Sequence, residues 1–203
     1  STMIRQAVIA ATLGFKVFYA SLEMGLDVIK QRLEAAIKAL NVKESIAQNL
    51  FLKQYPSKRV TIDEIFLDVD AVNCDVVILD YLDLLKIVRS DQIWLDLEET
   101  IAYFRGLLVE RRQVGITASQ ANREGMKDSG KTILDLDKIA GSVGKAFTAD
   151  YVITINPPSE NSTITHFYLA KNRRGPKWLQ SCNYNLETLE LSPLILDYTP
   201  DST

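Results

Sequence analysis

Cysteine and histidine are almost missing from this sequence. Cys74 and Cys182 lie far apart without metal-ligand spacing, and His166 is the single histidine. A zinc site, a Cys/His nucleophile pair and a Ser/His/Asp triad therefore lack support. So few thiols fit a reducing compartment. No apolar run reaches the roughly 18 to 20 residues that a bilayer span needs. The opening residues Ser1-Thr2-Met3-Ile4-Arg5 carry no signal-peptide pattern. Positive charge is not in excess either: 23 Lys and Arg face 26 Asp and Glu, for a net charge of −3. That excludes a generally basic nucleic-acid coat, while a few cations gathered on one surface remain compatible with nucleic acid. Internal repeats and low-complexity stretches are absent.

What is present reads as one globular domain. Apolar residues make up 47% and charged residues 24% of the 203 positions, enough to bury a core and too apolar for a disordered chain. The spacing of Ile4, Val8, Ala11 and Thr12 predicts a helix closed by Gly14. Lys16–Ser21 is a β-branched and aromatic run, read as a strand. Helical spacing returns from Leu26 to Leu40, followed by a strand over Leu50–Gln54 and a helix over Thr61–Val72. Val76–Leu79 is a continuous apolar run of the kind that a parallel strand covered on both faces requires. Leu97, Ile101, Phe104 and Leu108 mark a long helix ending near Arg112, and Val114–Ala118 reads as the next buried strand. Asn122–Thr132 is polar and contains glycine, as a loop does. Tyr151–Ile155, Thr163–Ala170 and short runs after Trp178 complete the order as strands without helices between them. The expected fold is an α/β sandwich with a mainly parallel sheet and antiparallel strands towards the C-terminus.

Ligands bind such sheets at the carboxyl ends of their strands. Three predicted strands end in functional residues there: Glu23 after Ser21-Leu22, Asp80 after the Val76–Leu79 run, and Gln120 after Ser119. One carboxylate for Mg²⁺, another to activate water and an amide near a γ-phosphate suit nucleotide hydrolysis. A phosphate cradle would need glycines, a lysine and a Ser/Thr hydroxyl on the metal. Ser1 and Thr2 stand in front of the first helix, where such a loop would end. They read either as the residues that follow a P-loop lysine lying outside this sequence, or as ordinary helix-capping residues. Gly125–Thr132 satisfies G-x-x-x-x-G-K-[ST] in letters. Its setting is wrong, because polar residues Gln120 to Glu124 separate it from the preceding strand. Finally, Lys171-Asn172-Arg173-Arg174-Gly175-Pro176 predicts an exposed basic turn, either a solvated hairpin tip or an arginine finger aimed at a neighbour's phosphate.

In this order the pieces resemble the C-terminal motor domain of DnaB-family hexameric replicative DNA helicases, over nearly the whole chain. "YASLEM" resembles the strand carrying the catalytic glutamate, here Glu23. "VVILDYLDLL" resembles a Walker B segment with Asp80. "TASQANR" is similar to the strand end whose glutamine senses the γ-phosphate, here Gln120. "AKNRRGP" resembles the Lys-x-Arg-x-Gly-Pro turn, with Lys171 and Arg173 as the trans-acting pair. "LFLKQYP" and "IAGSVGKAFTADYV" look like helicases of T-even-type phages.

The resemblance implies a RecA-like three-layer sandwich that binds ATP and Mg²⁺, with Ser1, Thr2 and Asp80 at the nucleotide and Ser1 and Asp80 on the metal. It implies a homo-hexamer moving on single-stranded DNA in a bacterial or phage-infected cytoplasm, with a primase and a helicase loader as partners. Arg123, Lys127, Lys138 and Lys145 are the candidate DNA contacts, each equally readable as part of a solvated loop. The P-loop and the family's N-terminal domain are absent from the sequence, so the chain is expected to be a single ATPase domain starting just after the P-loop lysine. Two other readings stay open: another RecA-like ATPase such as a recombinase or a clock-type regulator, and a non-hydrolysing interaction module of the same fold.

Overall fold

A computed structural model describes residues 2–42, 44–86, 93–120, 133–136, 146, 148–156, 163–185 and 187–194. Helix α1 (Thr2–Thr12) leads through Gly14, whose φ of 91° is open to glycine at little cost, into strand β1 (Val17–Ser21). Then follow α2 (Leu26–Leu40), β2 (Leu50–Gln54), α3 (Ile62–Val72), β3 (Val76–Asp80), α4 (Ile93–Arg111) and β4 (Val114–Thr117). Strands β5 (Tyr151–Asn156), β6 (Ile164–Asn172), β7 (Leu179–Tyr184) and β8 (Leu191–Pro193) close the order. The first four strands pair in parallel as β2-β1-β3-β4, and the last four antiparallel as β5-β6-β7-β8. This is the α/β sandwich expected from the sequence, with its parallel and antiparallel strands where they were expected.

Alternation along β1 and β3 divides the core into two layers. Phe18, Ala20, Val77 and Leu79 face α3 and α4, packing on Ile65, Phe66, Val69, Phe104 and Leu108. Val17, Tyr19, Val76 and Ile78 face α1 and α2, meeting Ile4, Val8, Ile29 and Ala36. α1 shows Ile4, Ala7, Val8 and Ala11 on one stripe, the i, i+3, i+4, i+7 spacing of a helix with one buried face. α3 starts at a capping box in which Thr61 and Glu64 satisfy each other's backbone N–H groups. Leu189 and Tyr184, from the antiparallel strands and their connection, pack in the α1 layer, and Arg5 Nη1 donates to Leu189 O at 3.0 Å. The α1 layer thus touches both sheets.

β4 departs from the expectation of a buried strand. Among the described residues it is the last strand of the parallel sheet, and Val114 is 58% exposed. A continuous apolar run reports cover on the strand's faces and carries no information on whether a neighbour pairs with its edge. Among the described residues β5 likewise stands at one border of the second sheet, paired with β6 on its other side, and Tyr151, Ile153 and Ile155 are exposed. No helix among the described residues is long and apolar enough to cross a membrane.

Candidate functional site

The carboxyl ends of β1, β3 and β4 are tied together by hydrogen bonds that go beyond the sheet ladder. Leu22 N donates to Asp80 O at 2.7 Å, which fixes the turn after β1 against the end of β3. That turn is closed by Ser21, whose Oγ donates to Met24 O at 2.8 Å and accepts from Met24 N at 3.0 Å. Glu23 sits in the turn with its side chain exposed. On the other side, Thr117 Oγ1 donates to Leu79 O at 2.8 Å and accepts from Leu82 N at 3.1 Å, holding the end of β4 to the segment after Asp80. Gln120, exposed, donates from Nε2 to the Tyr81 hydroxyl at 2.9 Å.

Asp80 is buried, 5% exposed, and lies on the face of the sheet that carries α1. The Tyr19 hydroxyl, on the same face of neighbouring β1, donates to Asp80 Oδ2. Burial of a carboxylate needs such a partner. The Asp80–Tyr81 peptide is cis. Burial pushes the Tyr81 phenol above its ordinary pKa, and the negative charges of Glu23, Asp83 and Asp80 push it further. Three carboxylates and the Gln120 amide therefore converge on one tyrosine. The three strand-end residues picked from the sequence are brought together, and Thr2 begins the helix that packs on the same face as Asp80.

Tyr19, Tyr81 and Asp83 were not picked from the sequence. Tyr81 had a signal, adjacency to Asp80. Tyr19 had only its place two residues before Ser21, on the face that Asp80 shares. Among the described residues no group of three or more His, Cys, Asp or Glu could hold a metal ion.

The basic segment differs from the exposed turn expected. Lys171 and Asn172 belong to β6, which runs on through them, and the turn begins at Arg173. Lys171 is half-buried and its Nζ donates to Ala146 O at 2.8 Å. Desolvation lowers its pKa, helped by the nearby Arg173 charge and opposed by Asp150. Arg173 pairs through Nη1 with Asp150 Oδ1 at 2.6 Å. Ser1, Arg123, Lys127, Lys138, Lys145 and the Gly125–Thr132 segment lie outside the described residues. Both cysteines are free and buried, and His166 Nδ1 hydrogen-bonds with Ser181 Oγ at 2.8 Å within the antiparallel sheet.

No family model matches this chain, and no curated protein matches it in sequence. Solved structures match it in fold. One is a DnaB-like replicative helicase, described with its interactions with primase, at TM-score 0.77 and 19% identity over 93% of this chain and 54% of that one. Another is the ATPase domain of a second protein, at TM-score 0.71 and 19% identity over 94% of this chain and 78% of that one. A KaiC-like protein, PH0186 from the archaeon Pyrococcus horikoshii OT3, matches at TM-score 0.63 and 14% identity, over 94% and 80%. The chain has the RecA-like α/β fold of these proteins and resembles the DnaB-type motor domain in architecture. It spans about half the length of the DnaB-like helicase it matches.

Proposed function

We propose that this chain is the motor part of a ring-shaped DnaB-type DNA helicase, which hydrolyses ATP to move on single-stranded DNA and separate duplex at a replication fork. The observation that carries this reading is the convergence of Glu23, Asp80 and Gln120 around Tyr81 at one edge of a RecA-like sheet. Asp80 would hold Mg²⁺, which on a nucleotide neutralises phosphate charge. Glu23, exposed at the mouth, takes the proton of the attacking water. Gln120 contacts the γ-phosphate and passes its presence to Tyr81. Lys171 and Arg173 serve a phosphate bound by the adjacent protomer of a homo-hexamer. Arg123, Lys127, Lys138 and Lys145 contact the DNA backbone, without reading sequence and with a steep salt dependence. A primase and a loader are its partners, and the bacterial or phage-infected cytoplasm its setting.

Thr2, which begins the helix packed on the face of Asp80, and Ser1 before it are the proposed nucleotide contacts, with Ser1 joining Asp80 on the metal.

The test uses the chain joined to an upstream phosphate-loop segment. Asp80→Asn should weaken Mg²⁺-nucleotide binding, and Glu23→Gln should bind normally but fail to turn over. A Glu23→Gln protein that hydrolyses ATP at the parent rate would falsify the assignment of the base. The match to a KaiC-like protein keeps a second reading in view, a RecA-like ATPase that does not act on DNA. Strand separation by the active protein decides between them.

A further inference from the structure

Asp150, the residue before β5, holds Arg173 in two ways. Arg173 N donates to Asp150 O at 3.1 Å, extending the β5–β6 ladder by one step. The Arg173 guanidinium pairs with the Asp150 carboxylate. The backbone at Arg173 is thus fixed by the sheet, while its side chain is kept by an ion pair that is 47% exposed on the arginine and 45% on the carboxylate. Exposed pairs of this kind contribute little and give way readily.

A second guanidinium approaches the same carboxylate. Arg105 Nη2, from α4, lies 3.3 Å from Asp150 Oδ1 and 3.5 Å from Oδ2. Arg105 Nε is buried without a hydrogen-bond partner among the described residues. Arg105 and Arg173 both line a cleft of about 340 Å³ between α4 and the β5–β6 end, together with Ala102, Gly106 and Thr148. Lys171 stands close enough for both arginine charges to act on it. Two guanidiniums share one carboxylate, so the pairing at the cleft carries surplus positive charge.

We infer that Asp150 is a positioning residue that keeps Arg173 parked at the end of β6, and that Arg105 is the relief partner that lets it leave. This rests on the reading of Arg173 as a phosphate-binding arginine. A phosphate group offers a guanidinium two strong charge-assisted bonds and outcompetes an exposed carboxylate. When Arg173 swings to it, Asp150 is not stranded, because Arg105 already shares its oxygens. Without Arg105 the carboxylate would depend on Arg173 and hold it more tightly. The two neighbours therefore act on Arg173 with opposite sign: Asp150 restrains it and Arg105 loosens the restraint.

The experiment needs only the 203-residue chain, with inorganic pyrophosphate as the probe. Side-chain NMR relaxation at Arg173 Nε should report an ordered guanidinium in the parent and in Asp150→Glu, a mobile one in Asp150→Asn, and a more rigid one in Arg105→Gln. Pyrophosphate titrated against the same resonance should bind more tightly to Asp150→Asn, by up to about fivefold, the scale of an exposed pair, and more weakly to Arg105→Gln. In the double variant the Arg105 effect should vanish, since there is no restraint left to relieve. Equal Arg173 mobility in the parent and Asp150→Asn overturns the parking role. A full Arg105 effect in the Asp150→Asn background overturns the relief role, because Arg105 would then be acting on the anion directly. Both outcomes are independent of whether Arg173 serves a neighbouring protomer, which ring hydrolysis tests separately.

Discussion

Gln120 Nε2 donates to the Tyr81 hydroxyl at 2.9 Å, which ties the loop after β4 to the residue next to Asp80. A movement of Gln120 is therefore felt at the carboxylate cluster through one phenol. Tyr81→Phe should leave nucleotide binding near the parent level and lower hydrolysis by about tenfold, the worth of a single hydrogen bond. Gln120→Ala should lower it at least as much. The Tyr81→Phe/Gln120→Ala double variant should be no worse than Gln120→Ala, because coupled partners are non-additive. Steady-state ATPase rates check this, and a double variant showing the product of the two losses would mean that the residues act separately.

If, as proposed, Arg173 acts across the interface of a ring, subunit mixing tests it. Arg173→Ala should still bind nucleotide while losing hydrolysis by roughly 10³ or more, the contribution of an arginine finger. Subunits lacking Glu23 can still donate Arg173, and subunits lacking Arg173 still supply Glu23. Mixed rings of the two inactive variants should regain part of the activity. Silence in rings whose subunits are shown by labelling to exchange would rule out action across an interface.

Gly115 lets α4 approach β4 closely. A methyl group there would overlap the Leu108 side chain and press on the Phe104 ring. Both belong to the buried layer between α4 and β3. Gly115→Ala should destabilise the fold by about 1–3 kcal/mol, the usual cost of overpacking. Urea unfolding measures it, and an unchanged midpoint would mean that α4 shifts freely.

Tyr55 sets a limit at high pH. Burial, a 2.6 Å hydrogen bond to Asp68 and that carboxylate's charge hold the phenol well above its ordinary value of 10.0. The folded chain keeps a proton that the unfolded chain releases, so the stability contributed is complete below about pH 10 and falls as pH rises beyond it. Tyr55→Phe should flatten part of that fall. Unfolding midpoints between about pH 9 and 11 give the comparison, and equal slopes would remove Tyr55 from the account.

The elements were legible wherever local pattern decides them. Helical spacing located α2 at Leu26–Leu40, and the helix read over Thr61–Val72, with Thr61 near its start, is α3. Strand ends followed by Glu23, Asp80 and Gln120 pointed to the edge where the structure gathers them. Pairing was not legible. The exposure of β4 depends on what lies beside it, which an apolar run cannot report. Lys171 read as part of a turn because its polarity hid a β6 strand whose partner β5 holds it straight. Tyr19 meets Asp80 across 61 residues, and Asp150 meets Arg105 across 45. Such contacts are made by topology, which the residues themselves do not announce.

Among the described residues β4 and β5 each border their sheet without a partner strand on one side, which has a consequence for handling the protein. Each presents a row of backbone donors and acceptors beside exposed apolar side chains, Val114 on one and Tyr151, Ile153 and Ile155 on the other. Borders of that kind recruit further strands and favour aggregation. Pairing between such borders of different copies is bimolecular, so self-association should rise with protein concentration. Anything that covers those borders acts in effect as a chaperone for the chain.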